Sequence, residues 1–219
     1  MERIDIENVV KAIQAIGPDS TWRTPDGYPN SLALCVLDAI WSVGVNYDEH
    51  VIPVLDRYRQ HRADSGRDAS QDSVNDLRIA IMYFGPERFS SEIVKNKQRT
   101  STRSGILKSD AVLRATTLFC KTSVFTCSDF KSRQDDVYSG WLVIPGQKSG
   151  ISWRYLRILT GEPDIKPDRM IMGFVSSAID RPVSPAEAIT LLVTAHREME
   201  LASDLRTLDY AIWSHQRQA

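Results

Sequence analysis

The sequence predicts an all-α fold of about nine or ten helices. Nearly every apolar run recurs at intervals of three and four residues, the spacing that gathers side chains on one face of a helix. No stretch alternates apolar and polar residues long enough for a strand, and only short pieces such as Ser123–Phe125 are ambiguous. Pro and Gly punctuate the periodic runs, at Gly17-Pro18, Pro145-Gly146 and Gly161-Glu162-Pro163. With 219 residues, 42% apolar and 25% charged, the chain can bury a sizeable core as one compact unit or two closely packed lobes.

In order, Ile4–Ile16 repeats apolar residues through Ile6, Val9, Val10, Ile13 and Ile16, then stops at Gly17-Pro18, which predicts an amphipathic helix. Asp19–Asn30 is loop by its Pro25, Asp26-Gly27 and Pro29, and its Trp22 and Tyr28 either pack or face a ligand. Ser31–Val43 is apolar almost all round, the pattern of a helix surrounded by others. Tyr47–His61 and Ser73–Phe84 are amphipathic helices, joined by a polar Ala63–Asp72 expected to be an exposed, mobile loop.

Between Glu92 and Asp110 no acidic residue occurs, while Lys95, Lys97, Arg99, Arg103 and Lys108 fall among Ser and Thr. Such a block is either solvated surface or a set of phosphate donors. Asp110–Cys120 and Gln134–Val143 read as two further helices. The stretch 144–179 follows, with Pro145-Gly146 opening a turn into the helical run around Trp153, and Asp168 after Pro167 as an N-cap. Ser184-Pro185-Ala186-Glu187 has the form of a capping box with Pro at the first helical position. His196 on the stripe that follows reads as a hydrogen-bonded packing histidine. The last helix, Asp204–His215, carries Asp209 inside its apolar stripe, where it should accept a buried hydrogen bond.

A net charge of −1 removes any argument from global basicity, so a nucleic-acid role needs charge gathered on one face. Cys35, Cys120 and Cys127 have no paired metal spacing and an odd count, which fits a reducing cytoplasm and no metal site. There is no basic start followed by an apolar block and no run of about 18 apolar residues, so neither export nor a membrane is expected.

The stretch 144–179 resembles the core of the helix-hairpin-helix (HhH-GPD) DNA glycosylase superfamily, which includes endonuclease III. That family has a hairpin L-P-G-x-G leading into a helix, and roughly two dozen residues later an Asp opening another helix as V-D-x-x-I-x-R-V. Ile144-Pro145-Gly146 matches the hairpin start, and Asp168 with the run to Val175 matches the second element, 22 residues beyond Gly146. The second hairpin glycine is displaced to Gly150, and Gly173 stands where the family often has Arg. Ser31–Val43 resembles the family's early helix, with Trp41 where many members carry a Gln that fills the gap left by an extruded base. Without the resemblance Trp41 is simply a core aromatic.

The resemblance implies a two-lobed glycosylase-like fold over residues 1–219, with 45–150 as the central lobe ending in the hairpin. Residues 1–44 and 151–219 would form the other, and the cleft between them would be the DNA site. It implies a monomer acting on double-stranded DNA without a cofactor, extruding a base and hydrolysing its glycosidic bond. Asp168 would be the carboxylate that stabilises the oxocarbenium-like sugar, against the plain reading of an N-cap. The hairpin residues Gly146, Gln147, Lys148, Ser149, Gly150 and Ser152 would hold the strand by its phosphate, with Lys97, Arg99 and Arg103 as a second contact. Trp41, Tyr47, Trp153 and Trp22 are the candidates for pocket or wedge. Some members cut the strand with a lysine in the hairpin helix; here that position is Gly150 or Ser152, and Lys148 is offset, so base release without strand cutting is expected. A non-catalytic hairpin DNA-binding protein is the competing reading.

Overall fold

Every residue from Leu32 to Trp41 is buried, because the run carries a single charge, Asp38, and offers no polar face to water. Ser31 caps this helix, its hydroxyl accepting from the Leu34 amide at 3.2 Å and donating to the Ala69 carbonyl at 2.8 Å. The protein is described here by a computed structural model, covering residues 2–218.

The helices in chain order are α1 (Arg3–Ile16), α2 (Leu32–Trp41), α3 (Tyr47–His50), α4 (Ile52–Asp64), α5 (Val74–Phe84), α6 (Pro86–Arg88), α7 (Lys108–Lys121), α8 (Cys127–Leu142), α9 (Ile151–Thr160), α10 (Arg169–Ile179), α11 (Pro185–Glu198) and α12 (Leu205–Gln218). Among the described residues there is no strand, only an isolated antiparallel bridge between Arg99 and Leu107. The fold is all-α. No helix among them is long and apolar enough to cross a membrane.

The chain forms two units, residues 27–161 and residues 1–26 with 162–219. In the first, α4, α5, α7 and α9 pack on α2, and α8 packs on α7 and α9. Its core joins α2 to Tyr58, Phe89, Phe119, Phe130 and Trp141. Because α2 and α9 share one core with α5, α7 and α8, the divisions fall at 26/27 and 161/162 rather than at 44/45 and 150/151. The second unit is built from α1, α10, α11 and α12 around Ile13, Ile171, Val175, Leu191, Leu208 and Ile212. There Arg181 Nη2 donates to Asp5 Oδ2 and to Glu187 Oε1, both at 2.7 Å. Ser184 accepts from the Glu187 amide at 3.2 Å, so half of the expected capping box is made, while the Glu187 carboxylate goes to Arg181 instead.

Three other expectations are corrected. The expected helix from Tyr47 to His61 divides at Val51, because Pro53 has no amide to bond the Glu49 carbonyl. The segment 63–72 is pinned rather than mobile: Asp72 is buried and accepts from Arg62 Nη2 and from the Tyr58 hydroxyl, both at 2.7 Å. Its own carbonyl accepts from the Ser31 hydroxyl at 3.1 Å, which fixes the segment to the start of α2. Finally, α8 begins at Cys127 behind a Thr126–Asp129 capping box, and the non-helical Arg133 divides it just before the expected start at Gln134.

Candidate functional site

The turn after α8 is built from two short backbone closures, with the Gln147 amide donating to the Ile144 carbonyl and the Gly150 amide to Gln147, both at 3.0 Å. Gly146 has φ +88° and Gly150 φ +73°, values that an L side chain adopts only under strain. Gly150 is the N-cap of α9 and has no side chain to cap it, and the Ile151 amide donates to Ser149 Oγ at 3.4 Å. The turn therefore offers backbone N–H groups and the positive end of a helix dipole, the chemistry that suits a phosphate.

Gly146 also explains how the turn is held. A Cβ there would lie 2.6 Å from Thr100 Cβ, so the hairpin backbone is seated directly on the basic segment. That segment is a closed loop of its own: the Thr100 amide donates to Ile106 O and the Lys108 amide to Gln98 O, both at 2.9 Å. Arg99 Nη1 donates to Gly105 O at 2.8 Å, which stiffens the loop. Lys97, Arg99 and Arg103 are exposed on it, as Lys148 and Ser149 are on the hairpin. The hairpin and the basic block, separated by more than forty residues, thus form one surface.

Other expected contacts lie inside. Gln147 is 1% exposed and Ser152 2%, with Ser152 Oγ accepting from Trp141 Nε1 at 3.1 Å, so neither side chain is presented to a ligand. Trp153 belongs to an aromatic cluster, its ring 5.1 Å from Phe130, 5.2 Å from Tyr138 and 5.8 Å from Trp141 between centroids. Trp41 is wholly buried, which corrects its expected place as a wedge: α2 is enclosed on every side, and its last turn is no exception. Trp22 is half-buried against the core of the terminal unit.

Tyr47 is part of a group that the sequence did not announce. Its hydroxyl donates to Asp38 Oδ2 at 2.7 Å, and the Tyr28 hydroxyl donates to the same oxygen at 3.0 Å. Burial, then the Asp38 charge, pushes both phenols well above the usual tyrosine range, and Tyr155 shifts the same way. The hydroxyls thus remain donors, and a charge inside an otherwise apolar helix is the signal that could have revealed them.

Asp168 lies in the terminal unit, where it accepts from the Met170 amide at 2.9 Å and the Ile171 amide at 3.3 Å and so caps α10 as expected. Its side chain is 24% exposed, with Lys166 Nζ 3.7 Å from Oδ2. Beside it Asp209 Oδ1 accepts from the Lys166 amide at 2.8 Å, the buried bond the sequence led us to expect. Burial raises the Asp209 carboxyl to about 8; the Lys166 amide and charge oppose this, while Asp168 and Asp164 add to it. At neutral pH Asp209 is therefore predominantly an uncharged acid. His196 Nε2 donates to Ser203 O at 2.6 Å, a packing role. Among the described residues no group of three or more His, Cys, Asp or Glu is arranged to hold a metal ion.

Together these features define an all-helical protein with a glycine-turned, basic-flanked hairpin on one unit and a carboxylate-capped helix on the other. The chain belongs to the family described as Domain of unknown function (DUF8548), whose model matches residues 7–217. No curated protein and no solved structure matches it.

Proposed function

We propose that this protein is a monofunctional DNA glycosylase of the helix-hairpin-helix type, which extrudes a damaged, mismatched or modified base and hydrolyses its glycosidic bond. The observation that carries the reading is the seat of Gly146 on Thr100, which joins the hairpin amides to Lys97, Arg99 and Arg103. A surface that combines backbone N–H groups with exposed cations holds a nucleic-acid strand by its phosphates, independently of sequence. Extrusion is needed because the glycosidic carbon is unreachable in a stacked duplex.

Asp168 supplies the negative charge. As the base departs, positive charge grows on the sugar, and a fixed carboxylate stabilises it. Its two amide bonds hold the group in one orientation, and its partial exposure leaves an edge for a substrate. Lys148 is exposed on the hairpin and serves as a phosphate contact, so the product is an intact abasic strand. The experiment is a panel of duplexes bearing damaged, mismatched and modified bases, scored for free base. Release from one class, with a strand that breaks only in alkali, is the expected result. Binding to every duplex without release from any rejects the glycosylase reading.

A second reading is a non-catalytic DNA clamp, and one observation favours it. Asp168 is already occupied in capping α10, which is a complete structural role. Under that reading the hairpin and basic loop bind DNA with a steep salt dependence, and Asp168 is indifferent to it.

A further inference from the structure

We propose that Cys35 and Cys127 are a modification site, two thiols that hydroperoxides convert to a reversible disulfide. One stands on α2 and the other is the first residue of α8, yet both Sγ atoms donate to the same acceptor, the Tyr28 carbonyl oxygen, at 3.3 Å and 3.4 Å. Two sulfurs bound to one carbonyl oxygen are neighbours, as the hydrogen bond between Cys35 and Cys127 also requires. Both are thiols in this structure.

The pair is chemically unequal. Burial pushes the Cys35 thiol up, and its neighbour Cys127 adds to this. Cys127 is shifted down, first by the hydrogen bond from Cys35 and then by the Lys131 charge, against its own burial. The shifts favour ionisation of Cys127 over Cys35, so Cys127, once it releases the Tyr28 carbonyl, is the attacking sulfur and Cys35 the resolving one. Access agrees with this order: Cys127 is 4% exposed between exposed Thr126 and Ser128, whereas Cys35 is 0% exposed.

The Cys127 thiolate attacks the outer oxygen of the hydroperoxide. The O–O bond breaks, and the departing alkoxide or hydroxide takes a proton from water and leaves as alcohol or water, with Cys127 as sulfenic acid. Cys35 sulfur then attacks Cys127 sulfur, the S–O bond breaks, and hydroxide leaves as water with the Cys35 proton. Two thiols and one hydroperoxide give one disulfide, one alcohol (or water) and one water. The new bond removes both sulfur donors from Tyr28, whose amide also bonds Leu159 O at 2.8 Å and whose hydroxyl bonds Asp38.

The test treats the folded full chain with an equivalent of hydrogen peroxide, denatures it in N-ethylmaleimide, and maps the peptides. The expected result is a cross-link between Cys35 and Cys127, reversed by dithiothreitol, with Cys120 alkylated. Cys120 is the most exposed of the three thiols, so exposure alone would oxidise it first. Preferential oxidation of Cys120, sulfinic acid at Cys127 without a cross-link, or three alkylated thiols would each overturn the proposal. The Cys120→Ser chain should give the same cross-link, and it keeps the test decisive where Cys127→Ser does not fold.

Discussion

Burial makes Asp209 a weak acid, and the consequence for stability has a definite sign. Its carboxyl is raised from 3.8 to about 8, so between those values the folded chain keeps a proton that the unfolded chain has given up. Stability from this group is full below pH ~4 and is lost as pH rises toward ~8, by an amount on the order of a few kcal/mol. Asp209→Asn keeps an acceptor for the Lys166 amide and cannot titrate. Its urea-unfolding free energy should lack the decline that the wild type shows between pH 4 and 8; parallel curves would refute the shift. A second change at this scale is Gly146→Ala, which meets both a positive φ and Thr100 Cβ. The cost should be on the order of 1–3 kcal/mol in chemical denaturation, with DNA affinity reduced as the hairpin lifts from the basic loop. An unchanged midpoint and affinity would mean that the turn relaxes freely. Asp168 as a cap and Asp209 as a buried acceptor were legible in the sequence, because a cap depends on local backbone and a stripe on helical spacing. The burial of Gln147 and Ser152 was not, since it depends on helices distant in the chain.

At the scale of elements, α2 shows what sequence can and cannot say. Its all-round apolarity announced a central helix, but not what closes its end. Lys108, 1% exposed, donates from Nζ to Trp41 O at 2.7 Å and Val43 O at 2.9 Å, and burial lowers it to about 8. Lysine in a basic block reads as surface, yet this one ends the block by turning inward. Lys108→Met should cost about 1–3 kcal/mol, because two carbonyls lose their donor; a thermal midpoint equal to wild type would show that water replaces it. For the rest of the block, alanine at Lys97, Arg99 and Arg103 should weaken DNA binding equally across sequences. The slope of log affinity against log salt should flatten by about one unit for each phosphate no longer neutralised. Unchanged affinity and slope would return these three to solvated surface. The polar segment 63–72 misled for the opposite reason: composition reports solubility, whereas Asp72 is buried because Arg62 and Tyr58 satisfy it.

For the whole molecule, the all-α class followed from periodicity, and the division into units followed only from packing. The expected divisions at 44/45 and 150/151 assign α2 and α9 to the terminal unit, whereas both pack among α5, α7 and α8, which no local pattern reveals. The proposed function rests on one carboxylate. Asn caps a helix about as well as Asp but carries no charge, so Asp168→Asn separates the cap from the catalyst. The measurement is the single-turnover rate of base release by wild type and Asp168→Asn, on whichever duplex the panel identifies, with binding to that duplex measured alongside. A carboxylate facing an oxocarbenium-like sugar contributes several kcal/mol to the transition state, and each ~1.4 kcal/mol is tenfold in rate. The account predicts release slowed by at least about a hundredfold with binding and folding retained; release at the wild-type rate would contradict it and leave Asp168 as a helix cap.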